Sequence, residues 1–163
     1  MFERILVPLD GSKVGEAALP YVEELVAKLA PHHKVEVTLF QAISPQAYYV
    51  TAGEASVPVP YTEQELRPII QRARNYLRKA GEGLKSKGAI VNTKVSAGRA
   101  ADEILKAADE INADLIAMST HGRSGLSRWA LGSVTDKVLR AGKVPLLTVR
   151  APRARDTSNP PLS

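Results

Sequence analysis

The sequence predicts a single α/β domain: an open, Rossmann-like parallel sheet of five strands in the order 3-2-1-4-5, with helices on both faces. Three observations carry this. Strand-like and helix-like segments alternate along the 163 residues, the pattern of successive βαβ units. The runs at residues 4–9 and 114–118 read as continuous apolar strands, as expected at the centre of a parallel sheet. Residues 91–95 instead alternate Val91, Thr93 and Val95 with Asn92 and Lys94, which suits an edge. The order 3-2-1-4-5 satisfies all three.

Each element has its own local warrant. Arg4-Ile-Leu-Val-Pro-Leu9 leads into Asp10-Gly11-Ser12, a turn that also offers a helix N-cap. Ala18, Val22, Leu25, Val26 and Leu29 then recur on one helical face, and Pro20 is expected to kink that helix by deleting a backbone hydrogen bond. Residues 35–40 form the second strand. Residues 44–62 carry Pro45, Pro58 and Pro60 without a period and are expected to form a long loop. Its Tyr48, Tyr49 and Tyr61 leave two readings open, a lid or binding loop and a plain surface insertion. Leu66, Ile69, Ile70, Ala73, Leu77, Ala80 and Leu84 mark one long second helix ending near Gly88. The third strand, 91–95, passes through residues 98–102 into a third helix over Ile104, Leu105, Ala108 and Ile111. The fourth helix spans 133–141 and stops at Gly142, and the last strand spans 144–149. The domain is therefore expected over residues 1–150, with 151–163, rich in Pro, Arg and Ser, a disordered tail.

Bulk properties narrow the function. Apolar residues make up 44% and charged residues 24%, an ordinary globular balance. No apolar run approaches the roughly 20 residues of a membrane span. Met1-Phe-Glu-Arg enters a strand directly and leaves no room for a signal peptide. Without cysteine there are no disulfides and no thiolate chemistry. The chain reads as cytoplasmic. Its net charge of +5 does not read as a nucleic-acid footprint. Arg150, Arg153 and Arg155 lie at the carboxyl end, and Arg72, Arg74, Arg78 and Lys79 stand beside Glu82 as a solvated helix face. Base-stacking aromatics are not interleaved with them, so neither nucleic acid nor membrane is an expected partner. The apolar edge Leu146-Leu147-Thr148-Val149 invites pairing with another chain, which predicts a homodimer through the last strand, Val144 to Val149.

The chemistry concentrates in Met118-Ser-Thr-His-Gly-Arg-Ser-Gly-Leu-Ser-Arg-Trp-Ala-Leu-Gly-Ser-Val-Thr135. This stretch joins a strand to a helix through glycines, hydroxyls and arginines, with no acidic residue. Backbone N–H groups freed by glycine before a helix N-terminus hold anions such as phosphate. Gly122 and Gly132 are separated by nine residues, and Ser133 follows directly. That spacing lets both glycines face one ligand, with N–H groups near Ser133 and Val134 and the hydroxyls of Ser133 and Thr135 serving phosphate oxygens. In the expected order the winding reverses between the first and fourth strands, and ligands bind at such a switch point. The loops there are Pro8-Leu9-Asp10-Gly11-Ser12 and the glycine-rich segment, so two arguments meet in one crevice.

These residues resemble the universal stress protein family, whose nucleotide-binding members carry G-x2-G-x9-G-[S/T]. The likeness runs from Arg4-Ile-Leu-Val-Pro-Leu-Asp-Gly-Ser12 through His121-Gly-Arg-Ser-Gly125 to Pro145-Leu-Leu-Thr-Val149. The resemblance implies ATP or another adenine nucleotide as ligand, with Mg²⁺ as a possible companion. It places Asp10 beside the nucleoside, the backbone around Pro8 and Leu9 and the position of Ala42 against the base, and Gly122, Gly132, Ser133, Val134 and Thr135 on ribose and phosphates. Met118, Ser119, His121, Arg123 and Gly125 complete the expected site. One letter departs: Ser119 stands where the motif has its first glycine. Serine is strained there if the position needs φ > 0.

Duller roles stand beside these. His121 is either a catalytic base or the residue whose hydrogen bond fixes the turn, Arg123 and Arg128 either reach phosphates or are solvated, and Trp129 packs on the core or a neighbouring subunit. His32 and His33 lack a third ligand, so no metal site is expected. With no P-loop and no nucleophile elbow, the expected activity is that of a nucleotide-responsive stress regulator whose glycine-rich loop orders on binding. The alternatives are a slow Mg²⁺-dependent ATP hydrolase or a dimeric interaction protein without nucleotide.

Overall fold

From the amino end the elements are β1 (Arg4–Pro8), a 3-10 turn (Gly15–Ala18), α1 (Leu19–Leu29), β2 (Glu36–Ile43), β3 (Gln46–Ala52) and β4 (Ala55–Pro60). Then follow α2 (Glu63–Ala80), α3 (Glu82–Ser86), β5 (Ile90–Ala97), α4 (Ala100–Glu110), β6 (Leu115–Thr120), α5 (Ser133–Ala141) and β7 (Leu146–Arg150). The computed structural model describes residues 2–52, 55–120 and 132–151. Within the five-stranded sheet the order is β5-β2-β1-β6-β7, all parallel. Counted along this sheet alone, that is the expected 3-2-1-4-5.

Alternation along each strand divides the core in two. Ile5, Val7, Val37, Leu39, Leu115 and Ala117 pack with Val22 and Val26 of α1, Leu77 of α2 and Leu84 of α3. Leu6, Phe40, Ile116 and Met118 pack with Ala101, Ile104 and Ala108 of α4 and Val138 of α5. Helices therefore cover both faces; β6 is buried along its length and β1 at Ile5, Leu6 and Val7, as central strands must be. The Asp114 carboxylate fastens their starts together, accepting the Glu3 N–H at 3.0 Å and the Arg4 N–H at 3.1 Å. Among the described residues no helix is long and apolar enough to cross a membrane.

Three expectations are corrected. Residues 44–62 are not an irregular loop: β3 and β4 pair antiparallel as a separate two-stranded sheet, with Val50 opposite Val57. Among its described side chains, Val50 and Val57 are 46% and 50% exposed and Thr51, Ser56 and Pro58 are also exposed, so no buried period marks the sequence. Both strands are edges, where Pro58 is tolerated, while Tyr48, Tyr49, Val50 and Thr51 are good strand formers. Pro20 does not kink a helix, because α1 begins there; proline occupies the first turn, where its missing N–H has no acceptor to lose. A 3-10 turn precedes it, and Gly15 N–H is served by Ser12 Oγ at 3.0 Å. The long second helix is two helices, broken at Gly81, with Leu84 of α3 and Leu77 of α2 both in the core under α1. Smaller shifts lengthen β2 and β5 and move the end of β6 to Thr120.

The entry into α2 is a reciprocal cap. Thr62 Oγ1 accepts the Glu65 N–H at 3.3 Å, and Glu65 Oε2 accepts the Thr62 N–H at 2.8 Å. The backbone N–H and then the hydroxyl of Thr62 hold the Glu65 carboxyl below its usual 4.5. A lowered carboxyl contributes stability that is complete above pH 4.5 and is lost as pH falls through the folded value. In Glu65→Gln, acid titration followed by helical circular dichroism is expected to lose this component.

Candidate functional site

β1 and β6 lie side by side and parallel, with Ile5 opposite Leu115 and Leu6 opposite Ile116. β1 connects onward to β2 on one side, while β6 connects to β7 on the other. The carboxyl ends of β1 and β6 therefore open the crevice that a reversal of winding creates.

The β1 side of the crevice is set by hydrogen bonds. Pro8 ends the strand half-buried. Leu9 is 5% exposed and donates its N–H to the Phe40 carbonyl at 2.8 Å, so β2 fixes where the turn departs. Gly11 turns back at φ 83°, a conformation that side-chain-bearing residues rarely adopt. Asp10 is exposed, and its Oδ1 accepts from the Ser12 N–H at 2.9 Å and the Ser12 hydroxyl at 2.6 Å. This Asx turn fixes the carboxylate before any ligand arrives. Ala42, two residues beyond Phe40, is half-buried and packs with the α4-side core.

On the β6 side, Met118 is 6% exposed within the α4-side core and Ser119 is 8% exposed. Ser119 lies inside β6, opposite Val149. Asn112 is the only described residue other than glycine with positive φ, so the backbone strain anticipated for Ser119 does not arise. Its hydroxyl donates to the Gly15 carbonyl at 2.7 Å and accepts the Ala18 N–H at 2.9 Å.

Across the crevice α5 begins at Gly132, whose carbonyl accepts the Asp136 N–H at 2.9 Å. Ser133 is exposed, Val134 half-buried and Thr135 3% exposed. Among the described residues, a β-carbon built on Gly132 meets nothing within 4 Å. The first N–H groups of a helix have no partner inside it. His121, Gly122, Arg123, Gly125, Arg128 and Trp129 lie outside the described residues, as does the tail beyond 151.

Two residues that periodicity passed over also reach the Gly11 turn. Tyr76, three residues after Ala73 and four before Ala80, borders the apolar stripe that defined the helix and packs against the α1-side core. Its hydroxyl is buried with no hydrogen-bond partner among the described residues. Burial, and next the charges of Glu16 and Asp10, push its ionisation well above the usual 10. Gln41 extends beside Gly11, with Nε2 3.8 Å from where a Gly11 β-carbon would stand and its Oε1 buried without a hydrogen-bond partner among the described residues. No sequence signal distinguishes either from a flanking residue.

A doubly wound parallel sheet of five strands, its winding reversed between β1 and β6, defines the class: an open α/β domain. The profile of the Universal stress protein family matches residues 1–150, and the chain belongs to that family. It is similar to a universal stress protein of Thermus aquaticus, 32% identical over 153 residues, covering 92% of this chain and all of that one. It is also similar to Universal stress protein YxiE of Bacillus subtilis, 30% identical over 153 residues with 92% and 100% covered. Among solved structures, the UspA protein of Lactobacillus plantarum has a TM-score of 0.66 at 21% identity, covering 91% of this chain and 98% of that one. A universal stress protein solved with cAMP has a TM-score of 0.63 at 24% identity over 93% and 98%. The Archaeoglobus fulgidus protein solved with dAMP has 0.59 at 18% over 91% and 97%.

Proposed function

We propose that this protein binds an adenine nucleotide, ATP foremost, in the crevice between β1 and β6 and serves as a nucleotide-responsive stress regulator. The observation that carries the proposal is the room at Gly132, where an added β-carbon meets nothing within 4 Å among the described residues, at the start of the helix that follows β6. Helix N-termini favour phosphate through their unpaired N–H groups and dipole. In this reading Ser133, Val134 and Thr135 receive phosphates together with Gly122, and Asp10 meets the nucleoside while Pro8, Leu9 and Ala42 border the base. Relatives of the same fold solved with cAMP and dAMP support adenine as the base. Mg²⁺ would arrive on the phosphates, since no group of three or more His, Asp or Glu side chains is placed to hold a metal among the described residues. Calorimetric titration with ATP tests the reading: saturable binding at one site per chain is expected.

The same reading includes a homodimer through β7. Leu146 and Leu147 flank an apolar groove of about 500 Å³ with Phe2, Tyr21, Leu25 and Leu115, and an apolar sheet edge beside such a groove favours pairing with a second copy. Thr148 is exposed on β7, so Thr148→Lys sets like charges together across a two-fold axis without entering the core. Sedimentation velocity is expected to show a dimer for the native chain and a shift toward monomer for the variant. A monomeric native chain would contradict the pairing.

A further inference from the structure

We propose that Ser119 is a positioning residue for the Asp10 carboxylate, acting through a strut of hydrogen bonds that joins the ends of β6 and β1. This rests on the nucleotide reading above for its functional consequence, though not for its geometry.

The strut is continuous. Ser119 Oγ donates to the Gly15 carbonyl at 2.7 Å and accepts the Ala18 N–H at 2.9 Å. Gly15 N–H donates to Ser12 Oγ at 3.0 Å. The Ser12 hydroxyl and N–H both donate to Asp10 Oδ1, at 2.6 and 2.9 Å. Each hydroxyl in the line both donates and accepts, so its orientation is fixed at both ends. Gly15 also brings the turn close: a β-carbon there would collide with the Asp10 carboxylate and crowd Ser12 Oγ.

The direction of the Ser119 side chain supports an indirect role. Along β6, Leu115 and Ala117 face the α1 side and Ile116 and Met118 face α4 and α5. Ser119 continues the first set, and its hydroxyl is spent on the 3-10 turn. It therefore reaches the crevice from behind the sheet, away from the N-terminus of α5. The residue that departs from the family's glycine does not fill the phosphate space. It uses a buried hydroxyl, 8% exposed, to hold the opposite wall. Glycine at 119 has no atom to receive the Ala18 N–H or to hold the Gly15 carbonyl.

The test is a double-mutant cycle with Ser119→Ala and Ser12→Ala, read by amide hydrogen exchange without nucleotide and by ATP titration. Ser119→Ala is expected to speed exchange at Ala18 and Ser12 by about tenfold or more, since a lost buried bond frees its donor. The ATP dissociation constant is expected to rise about tenfold in each variant, with the double variant no worse than the weaker single one, as members of one line couple. Unchanged Ser12 exchange in Ser119→Ala, or fully additive losses of affinity, would overturn the proposal. If Ser119→Ala does not fold, the half-buried Ser12→Ala decides: unchanged Gly15 exchange and ATP affinity overturn it. A native chain that fails to bind ATP ends the nucleotide reading, while exchange still judges the strut.

Discussion

Replacing Phe40 with alanine is expected to cost about 3–5 kcal/mol of folding stability. Phe40 is fully buried in β2, among Leu6, Ile116 and Met118 of the sheet and Ile104 of α4. Rigid neighbours on the strands and on α4 limit collapse into the space the ring leaves, so the lost burial and the cavity add. Domains of this size have about 5–15 kcal/mol in total, and the variant should retain only a fraction of its native margin. Urea denaturation is expected to show a lower midpoint with little change in slope. The consequence extends to the site, because the Phe40 carbonyl receives the Leu9 N–H and so sets the departure of the Asp10 turn. A loss below about 1 kcal/mol, within the range of ordinary surface changes, would contradict the packing described for the α4 face.

Gly132→Val is expected to leave the fold in place and weaken ATP binding by at least about tenfold, the effect of losing one charge-assisted contact. Gly132 has φ −57° and ψ 151°, an extended conformation that valine accepts. Among the described residues nothing lies within 4 Å of the added β-carbon. The cost to α5 is about 1 kcal/mol, because glycine is the better residue at a helix N-cap. On the proposed reading, the branched side chain adds bulk at the helix start where phosphate oxygens are expected. Steric exclusion there separates binding from folding, which a core substitution cannot do.

Much of this was legible from residue patterns. Apolar runs at β1 and β6 and the mixed strand β5 were enough to order the sheet, because parallel strands buried on two faces leave a different trace from an edge. The span of α5 was readable because Ser133, Gly142 and the apolar spacing between them agree. Patterns failed where packing, not period, decides. The β3–β4 hairpin buries neither face and so has no alternation to detect. Pro20 was misread because the 3-10 turn ahead of α1 leaves no periodic mark, and the break at Gly81 is invisible in a stripe that Leu77 and Leu84 continue across it. Around the candidate site, the turn at Asp10 and the start of α5 after Gly132 were readable from turn residues and glycine placement. The part played by Ser119 was not, because a strand residue's hydrogen bonds to Gly15 and Ala18 depend on contacts more than a hundred residues away in sequence.

On the proposed reading, the N-terminus of α5 at the β1–β6 switch point receives the phosphates of an adenine nucleotide. Isothermal titration of ATP into the native protein and Gly132→Val, with folding of both checked by circular dichroism, tests it most directly. Saturable binding at one site per chain is expected for the native protein, and a marked loss for the variant at unchanged secondary structure. Equal affinity in the two proteins, or no heat of binding to the native chain at millimolar ATP, would contradict it.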